Sequence, residues 1–232
     1  MSRYRGVLFD KDGTLFDFAA TWEAWAGAFL LRITGQDRAR AQQIGAQIGF
    51  DLAAQRFSHD SIVIAGTAGE VAEALLPHLP GLGYEALLDV LNAEAEAAPQ
   101  AETVPLRPFL EGLRARGLRL GVATNDAEAP ARAHLNSAGI TDLFDFIAGF
   151  DSGHGGKPQP GQMHAFAAAT GLAARDVVMV GDSRHDLVAG RAAGMTPVAV
   201  LTGLATRADL APLADAVLDD IGHLPDWLAA QG

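Results

Sequence analysis

The amino-acid sequence predicts an α/β fold with a mainly parallel central sheet, and three observations support this prediction. Short apolar segments rich in Val, Leu and Phe recur along the chain, and most are uninterrupted, as is typical of strands buried on both faces. Helical segments separate these strands, in the alternation that builds parallel sheets. Hydrophobic residues make up 49% of the 232 positions and charged residues only 19%, which is enough apolar surface for a real core.

The predicted strands and helices alternate along the chain in a fixed order. The strands are placed at residues 4–9, 118–123, 146–149, 177–180 and 197–201. The helices of this part of the chain are placed at residues 106–116, 127–138, 161–170, 187–193 and 224–230. Several of these helices end at a glycine, such as Gly117 or Gly171, which is a common helix stop signal.

One long segment interrupts the alternation. Between residues 16 and 98 the sequence is almost wholly helical, with predicted helices at 19–31, 37–48, 69–78 and 84–97. We therefore predict a core made of residues 1–15 and 100–232 and a helical domain inserted at 16–99, with a proline-bearing hinge after it. Trp22, Trp25 and Phe29 recur at helical spacing, which favours the interior of the helical domain over a platform for a substrate.

The amino-acid composition of the chain disfavours several kinds of binding partner and excludes several kinds of site. The chain has 17 Lys and Arg residues against 28 Asp and Glu residues, and this net charge of −11 disfavours nucleic acid and anionic membrane surfaces. It has no cysteine, so disulfides, thiolate zinc sites and cysteine nucleophiles are excluded. The sequence lacks both a run of ~18 apolar residues and a signal-peptide pattern, so we expect a cytoplasmic enzyme or binding protein.

Two carboxylates follow the first predicted strand. Asp10 and Asp12 are two positions apart in the segment Asp10-Lys11-Asp12-Gly13-Thr14, so along an extended chain they point to the same side. Open α/β sheets place their ligand crevice at the carboxyl ends of the strands. The alternative interpretation is an Asp-rich turn in which Gly13 supplies a permissive backbone.

Polar residues also follow two later strands. Thr124 and Asn125 come directly after the strand at 118–123, where they are either anion ligands or an ordinary helix N-cap. Lys157 lies between two glycines and Pro158 before a predicted helix, which favours anion binding over a surface turn. A Walker phosphate loop does not fit, because Pro158 stands where that motif needs Ser or Thr.

A second acidic pair follows the strand at 177–180. Asp182 and Asp186 belong to the segment Gly181-Asp182-Ser183-Arg184-His185-Asp186. Carboxylates at this edge of a sheet suit a hard cation such as Mg²⁺, which prefers oxygen ligands. Capping of the following helix by Asp182 or Ser183 is the alternative.

Together, these four motifs resemble those of the haloacid dehalogenase superfamily. The resemblance covers residues 1–15 and about 100–232. It implies a Rossmann-like core with a helical cap inserted after the first motif, which matches the helical segment described above. Within the superfamily the chain looks most like the phosphoglycolate phosphatase group. Lys11 departs from that group, which more often has an apolar residue there, and we expect this difference to leave the chemistry unaffected.

The resemblance implies a role for each acidic residue. Asp10 is expected to be the nucleophile that forms an aspartyl-phosphate, and Asp12 the general acid and base. Mg²⁺ is expected on Asp10, the backbone carbonyl of Asp12 and Asp182, with Asp186 binding it directly or through water. Metal and lysine would thus reverse the local sign of an otherwise acidic protein.

The resemblance also implies how the phosphoryl group is bound. Thr124 and Asn125 are expected to contact a phosphoryl oxygen, and Lys157 to neutralise charge on the nucleophile and on the phosphoryl group. The expected partner is a small phosphorylated metabolite, with 2-phosphoglycolate as the first candidate. The protein is expected to be a monomer or a homodimer.

Substrate selection is expected to come from the helical cap. Arg56, His59 and Ser61 are candidates for contacting a substrate carboxylate, Arg56 being the best bidentate group, although a solvated loop is an equally good interpretation. His185 is interpreted as a helix-start residue beside the metal site. For His154, near Lys157, a solvated loop position is favoured over a contact with the substrate.

Three other activities remain as alternatives. Haloacid dehalogenases use the same nucleophile, but they need neither Mg²⁺ nor an acid at the position of Asp12. Sugar phosphomutases share the motifs and transfer the phosphoryl group to a second hydroxyl. A receiver module that is phosphorylated on aspartate is disfavoured, because its acidic pair precedes the phosphorylated residue in a much shorter chain.

Overall fold

Parallel strands form the central sheet of the protein, whose computed structural model describes residues 3–58 and 60–232. The strands are β1 (Gly6–Phe9), β2 (Phe50–Asp51), β3 (Arg56–Phe57), β4 (Arg119–Ala123), β5 (Phe146–Ala148), β6 (Val177–Gly181), β7 (Thr196–Val200) and β8 (Ala216–Leu218). Six of them make one sheet in the order β5-β4-β1-β6-β7-β8, and β2 pairs with β3 in a separate antiparallel hairpin. All neighbours in the large sheet are parallel.

Helices connect the strands and cover both faces of the sheet. They are α1 (Phe18–Ile33), α2 (Arg38–Gly45), α3 (Ala68–Leu75), α4 (Tyr84–Glu96), α5 (Leu106–Ala115), α6 (Glu128–Ser137), α7 (Gly161–Thr170), α8 (Arg184–Ala192), α9 (Arg207–Leu210) and α10 (Leu224–Ala229). Among the helices of the described residues, none combines the length and apolar character needed to cross a membrane.

The central strand shows why the predicted strands are uninterrupted apolar runs. Val7 and Phe9 of β1 belong to an apolar cluster that includes side chains of α5, α6 and α10. Leu8, which points the other way, belongs to a cluster with Phe166 of α7 and Ala189 of α8. Because alternate residues of a strand face opposite sides of a sheet, both sets must be apolar when helices cover both faces.

Between β1 and α5 the chain has an apolar core of its own. This cluster contains residues of α1 to α4, among them the fully buried Phe29 and Leu75, and it is separate from the clusters on the sheet. Capping side chains set the start of two of these helices: Asp17 accepts a hydrogen bond from the backbone N–H of Ala20, and Thr67 forms a reciprocal capping box with Glu70.

The predicted α/β class is confirmed, and the five predicted strands are present with bounds that differ by at most two residues at either end. Four elements were not predicted: the strands β2, β3 and β8 and the four-residue helix α9. β8 has only three residues, is half-buried and lies at an edge, so its apolar signal is weak. The hairpin of β2 and β3 interrupts a segment predicted as almost wholly helical, because strands of two residues show no measurable alternation.

Candidate active site

Three neighbouring strands end side by side and supply the polar residues of the site. β1 lies between β4 and β6 and is paired in parallel with both. Asp10 follows β1, Thr124 follows β4 and Asp182 follows β6, so the three side chains meet at the carboxyl edge of the sheet. All three are buried. The structure therefore brings together residues that the sequence places more than 50 positions apart.

Lys157 joins two of the carboxylates. Its Nζ lies 2.6 Å from Asp10 Oδ1 and 2.6 Å from Asp186 Oδ1, and the lysine side chain is almost fully buried. Burial alone lowers the pKa of an ammonium group, but here the two carboxylates outweigh it and the pKa of Lys157 is raised. The lysine is therefore charged, and it contacts Asp10 directly.

Asn125 holds the lysine loop in place. Its Oδ1 accepts a 2.7 Å hydrogen bond from the backbone N–H of Lys157, and its Nδ2 donates to the carbonyls of Lys157 and Ala65 at 2.9 and 2.8 Å. Both ends of the amide are thus engaged by the protein. The sequence suggested Asn125 as a substrate ligand. Its side chain lies between the lysine loop and the segment that leads into α3, and the residue also lines the cavity over the carboxylates.

The acidic residues of the site form a cluster suited to a cation. One carboxylate oxygen from each of Asp10, Asp182 and Asp186 lies within 4.8 Å of the others. Burial, with Asp186 as the next cause and opposed by Lys157, raises the pKa of Asp10 to about 7. Burial and the charges of Asp10 and Asp186 raise the pKa of Asp182 well above its usual range. The three carboxylates offer oxygen ligands, and a divalent cation between them would offset their mutual repulsion. The cluster therefore fits a hard cation such as Mg²⁺.

Two glycines leave room for the Asp182 carboxylate. A Cβ atom at Gly13 would lie 2.4 Å from Asp182 Oδ2, and one at Gly203 would lie 1.7 Å from the same oxygen. Gly13 also has φ +75°, which L side chains rarely adopt. Asp186, in contrast, is held at both oxygens. Its Oδ1 accepts from Lys157, and its Oδ2 accepts from the backbone N–H and the hydroxyl of Ser183 at the start of α8.

Thr124 has a hydroxyl available to a ligand. Its Oγ1 accepts a 3.0 Å hydrogen bond from the backbone N–H of Asp126, so the hydroxyl hydrogen remains free to donate into the cavity that the residue lines. Gln162 of α7 supports this loop, because its Nε2 donates to the carbonyls of Thr124 and Gly155 at 3.0 Å each. Sequence reasoning missed Gln162, whose only signal was its place at the start of a predicted helix.

Lys11 lies against the general acid candidate, which corrects the expectation that this residue leaves the chemistry unaffected. The side chain is completely buried, and its Nζ lies 2.8 Å from Asp12 Oδ1, 2.9 Å from His134 Nδ1 and 3.3 Å from Asp126 Oδ2. Two opposing effects act on its pKa, and the carboxylates of Asp12 and Asp126 raise it despite burial. Burial, partly offset by Lys11, raises the pKa of Asp126 to about 6.

His134 connects this lysine to the helical segment above the sheet. Burial and the nearby ammonium of Lys11 lower the pKa of His134 to about 4, so the imidazole is neutral at pH 7. Since Nδ1 accepts from the ammonium, Nε2 has the proton and donates to the carbonyl of Ala95 in α4 at 2.7 Å. No local sequence pattern indicated this contact.

A cavity of about 60 Å³ lies over the carboxylates. Its floor includes Asp10, Asp12, Thr124 and Lys157. The opposite wall is formed by residues between β1 and α5, among them Phe18, Trp22, Trp25, Val63, Ile64, Val71, Leu91 and Asn92. A mainly apolar wall above a charged floor lowers the local polarity and so strengthens the electrostatic interactions of the charged groups.

Two polar atoms of this wall have no hydrogen-bond partner among the described residues, the Nε1 of Trp22 and the Oδ1 of Asn92, and both are buried. Trp22, Trp25 and Phe29 belong to the apolar core of the helical segment, as the sequence suggested, but Trp22 and Trp25 also face the cavity. Sequence reasoning missed Asn92, because a single polar residue in an amphipathic helix resembles a solvent-facing position.

The loop residues suggested by the sequence lie elsewhere. Arg56 is exposed on β3 and does not line the cavity. Ser61 is buried, and its hydroxyl is used within the segment, accepting from the backbone N–H of Val63 and donating to the carbonyl of Ile48. His59 lies outside the described residues.

The two other histidines singled out by the sequence differ in their surroundings. His154 is exposed, whereas His185 lines the cavity and has a pKa lowered by burial.

A family model and curated relatives match this chain over most of its length. The model for haloacid dehalogenase-like hydrolases matches residues 4–194. A phosphoglycolate phosphatase of Neisseria meningitidis is 30% identical over 225 residues, which are 97% of this chain and 88% of the relative. A phosphoglycolate phosphatase of Rhodospirillum rubrum is 42% identical over 121 residues, which are 52% of this chain and 50% of the relative's own length.

Solved structures share the arrangement of strands and helices. The crystal structure described as a predicted phosphoglycolate phosphatase from Haemophilus somnus superposes with a TM-score of 0.75 at 19% identity. The match covers 98% of this chain and 99% of the other. At this level of identity the similarity shows the fold.

Proposed function

Because this chain belongs to the haloacid dehalogenase-like hydrolases, we propose that it is a Mg²⁺-dependent phosphatase that hydrolyses a small phosphate monoester through an aspartyl-phosphate. One observation supports this most strongly: Asp10 and Asp12 line the same cavity, with the ammonium of Lys157 2.6 Å from Asp10. A nucleophilic carboxylate, a second carboxylate for proton transfer and a fixed cation are the groups that phosphoryl transfer requires.

In the first step, Asp10 attacks phosphorus. A bond forms between a carboxylate oxygen of Asp10 and phosphorus, the bond from phosphorus to the ester oxygen breaks, and Asp12 donates a proton to the departing alcohol. Lys157 offsets negative charge on Asp10 and the phosphoryl group, and the Thr124 hydroxyl donates a hydrogen bond to a phosphoryl oxygen. In the second step, Asp12 removes a proton from water as the water oxygen attacks phosphorus, and Asp10 is released with inorganic phosphate.

The acidic cluster would hold Mg²⁺. The carboxylates of Asp10 and Asp182 and the backbone carbonyl of Asp12 are the proposed ligands, and Asp186 binds directly or through water while it also anchors Lys157. When bound, the cation supplies positive charge that offsets both the carboxylates and a dianionic phosphate. Without it, the repulsion that raises the pKa of Asp10 also acts on an incoming phosphate.

The helical segment, predicted as residues 16–99, is proposed as the cap that contacts the leaving group. The apolar wall lines the cavity on this side, and it includes Trp22 and Asn92, whose buried Nε1 and Oδ1 have no hydrogen-bond partner among the described residues. The curated relatives reported above are named phosphoglycolate phosphatases, which makes 2-phosphoglycolate the first substrate to assay. A cytoplasmic location, and a monomeric or dimeric state, remain predictions from the sequence.

The test is a phosphate-release assay over a panel of small phosphate monoesters, with Mg²⁺ and with excess chelator. We expect 2-phosphoglycolate or another small monoester to be hydrolysed with Mg²⁺ only. Release of phosphate separates this activity from a phosphomutase, which would produce an isomer without net phosphate. Absence of hydrolysis across the panel, or activity that survives chelation, would contradict the proposal.

A further inference from the structure

Both lysines of this chain are buried in the site. Of the 17 basic residues, 15 are arginines, and the two lysines are Lys11 and Lys157. Their relative exposures are 0% and 6%. Lys157 has a role in the proposed reaction steps, whereas Lys11 takes no part in them. A compact ammonium with three donors suits a position where three acceptors converge, and a planar guanidinium does not.

The three donors of Lys11 meet acceptors from three different segments. Asp12 follows β1, Asp126 follows β4, and His134 belongs to α6. The hydrogen bonds to Asp12 Oδ1 and His134 Nδ1 measure 2.8 and 2.9 Å, and Asp126 Oδ2 is a charge contact at 3.3 Å. The ring of Trp22, with its centroid 5.6 Å from Nζ, covers the ammonium from above. A lysine bound in this way cannot move without losing its contacts with two carboxylates and its hydrogen bond to His134.

These contacts constrain the Asp12 carboxylate. Lys11 binds Oδ1, while the side chain of Asp12 keeps 12% of its surface exposed and lines the cavity. The second oxygen, Oδ2, is therefore the one available to the leaving oxygen of a substrate. A general acid acts only when its proton lies within hydrogen-bond reach of the leaving group, so the orientation of this carboxylate matters directly for the first chemical step.

The same lysine links Asp12 to the helical cap. His134 accepts from Lys11 through Nδ1 and donates through Nε2 to the carbonyl of Ala95, 2.7 Å away in α4. Ala95 itself lines the cavity. A continuous chain of hydrogen bonds therefore runs from the wall that faces the leaving group to the carboxylate that would protonate it.

We propose that Lys11 is a positioning residue for leaving-group protonation, which orients the Asp12 carboxylate and ties it through His134 to α4. This inference rests on the proposed phosphatase function. It makes a prediction that a purely structural role does not, because protonation is needed when a poor leaving group departs and is unnecessary when a good one does.

The experiment compares two substrates in the wild type and in Lys11→Met, which keeps the length of the side chain and removes its charge. The substrates are p-nitrophenyl phosphate, whose phenolate leaves unprotonated, and the best alkyl phosphate of the panel. The quantity compared is kcat/KM, which reports the steps up to loss of the alcohol. We expect the alkyl-to-aryl ratio of kcat/KM to fall by about 10- to 100-fold. The ratio is independent of the amount of folded enzyme, so partial unfolding of the variant does not affect it.

His134→Leu provides a second variant that keeps the contact between Lys11 and Asp12. It should lower the same ratio by a smaller factor, about 3- to 10-fold. Arg107→Met is the matched control, because Arg107 is an exposed cation that pairs with surface acids, and it should leave the ratio within twofold of wild type. Labelling with ε-¹⁵N-lysine should give two ammonium signals in the wild type, and loss of one in Lys11→Met identifies that of Lys11.

The outcomes separate this inference from the proposed function. If the wild type hydrolyses neither substrate, the phosphatase function fails. If the wild type is active and Lys11→Met lowers kcat/KM for both substrates equally, Lys11 has only a structural role and the inference is overturned. An unchanged ratio in His134→Leu overturns the link to α4. A Lys11 ammonium signal that exchanges with water as fast as that of free lysine contradicts the buried geometry itself.

Discussion

The acidic cluster makes the stability of the protein depend on pH and Mg²⁺ together. In the metal-free protein the pKa of Asp10 rises from 3.8 to about 7, mainly through burial. The folded state therefore holds this proton over a pH range in which the unfolded chain has lost it. Stability contributed by a raised carboxyl pKa is present at low pH and is lost as pH rises from about 4 through about 7.

The magnitude follows from the pKa change. Each tenfold change in a protonation equilibrium corresponds to about 1.4 kcal/mol, so the rise from 3.8 to about 7 amounts to about 4 kcal/mol, of which about 3 kcal/mol falls between pH 5 and pH 8. Asp182 acts in the same direction. A bound divalent cation offsets the repulsion and binds the ionised carboxylates, so it should restore what is lost.

The assay is urea unfolding at pH 5 and pH 8, each with Mg²⁺ and with chelator. We expect the free energy of unfolding of the metal-free protein to be lower at pH 8, and Mg²⁺ to stabilise the protein by about 2 to 3 kcal/mol more at pH 8 than at pH 5. Asp182→Asn should abolish most of this difference. Asp89→Asn, at an exposed position of α4, should leave it unchanged. Equal stabilisation by Mg²⁺ at both pH values would show that the raised pKa of Asp10 does not couple metal binding to stability.

Three further outcomes follow from the geometry. Asp10→Asn should retain the wild-type circular dichroism spectrum and release no phosphate, whereas substantial turnover would exclude Asp10 as the nucleophile. Gly13→Ala, with a Cβ 2.4 Å from Asp182 Oδ2 and φ +75°, should weaken Mg²⁺ binding at least tenfold by calorimetric titration, while Gly112→Ala, where a Cβ meets nothing within 4 Å, should leave it intact. Arg56→Ala should keep kcat/KM for the best substrate within twofold, because Arg56 is exposed and outside the cavity; a larger loss would place it in substrate binding.

The floor of the site was predictable because it depends on local patterns. Apolar runs mark buried strands, and the polar residue after each run must lie at the carboxyl edge of a parallel sheet. Asp10, Thr124 and Asp182 were placed together by this reasoning, and the structure brings them together. The same reasoning places Asn125 beside the cavity, but a strand end does not predict that the side-chain amide binds the Lys157 loop.

The wall of the cavity was less predictable. Asn92 and Trp22 occur in amphipathic helices, where periodicity separates a buried face from an exposed one. It does not distinguish a face that packs in a core from one that borders a cavity. That distinction depends on how the helices between β1 and α5 are placed over the sheet, and this placement comes from contacts between segments that are distant in the sequence.

Lys11 shows most clearly where sequence information ends. The α/β class, the polar residues that follow the central strands and the types of group available for phosphoryl transfer could all be inferred from the sequence, because each depends on residues that are neighbours along the chain. The contacts of Lys11 with Asp12 and with His134, 123 positions away, and the contact of His134 with α4 are visible only in the folded chain. A hydrogen bond between distant segments depends on the whole packing of the chain and therefore has no local pattern.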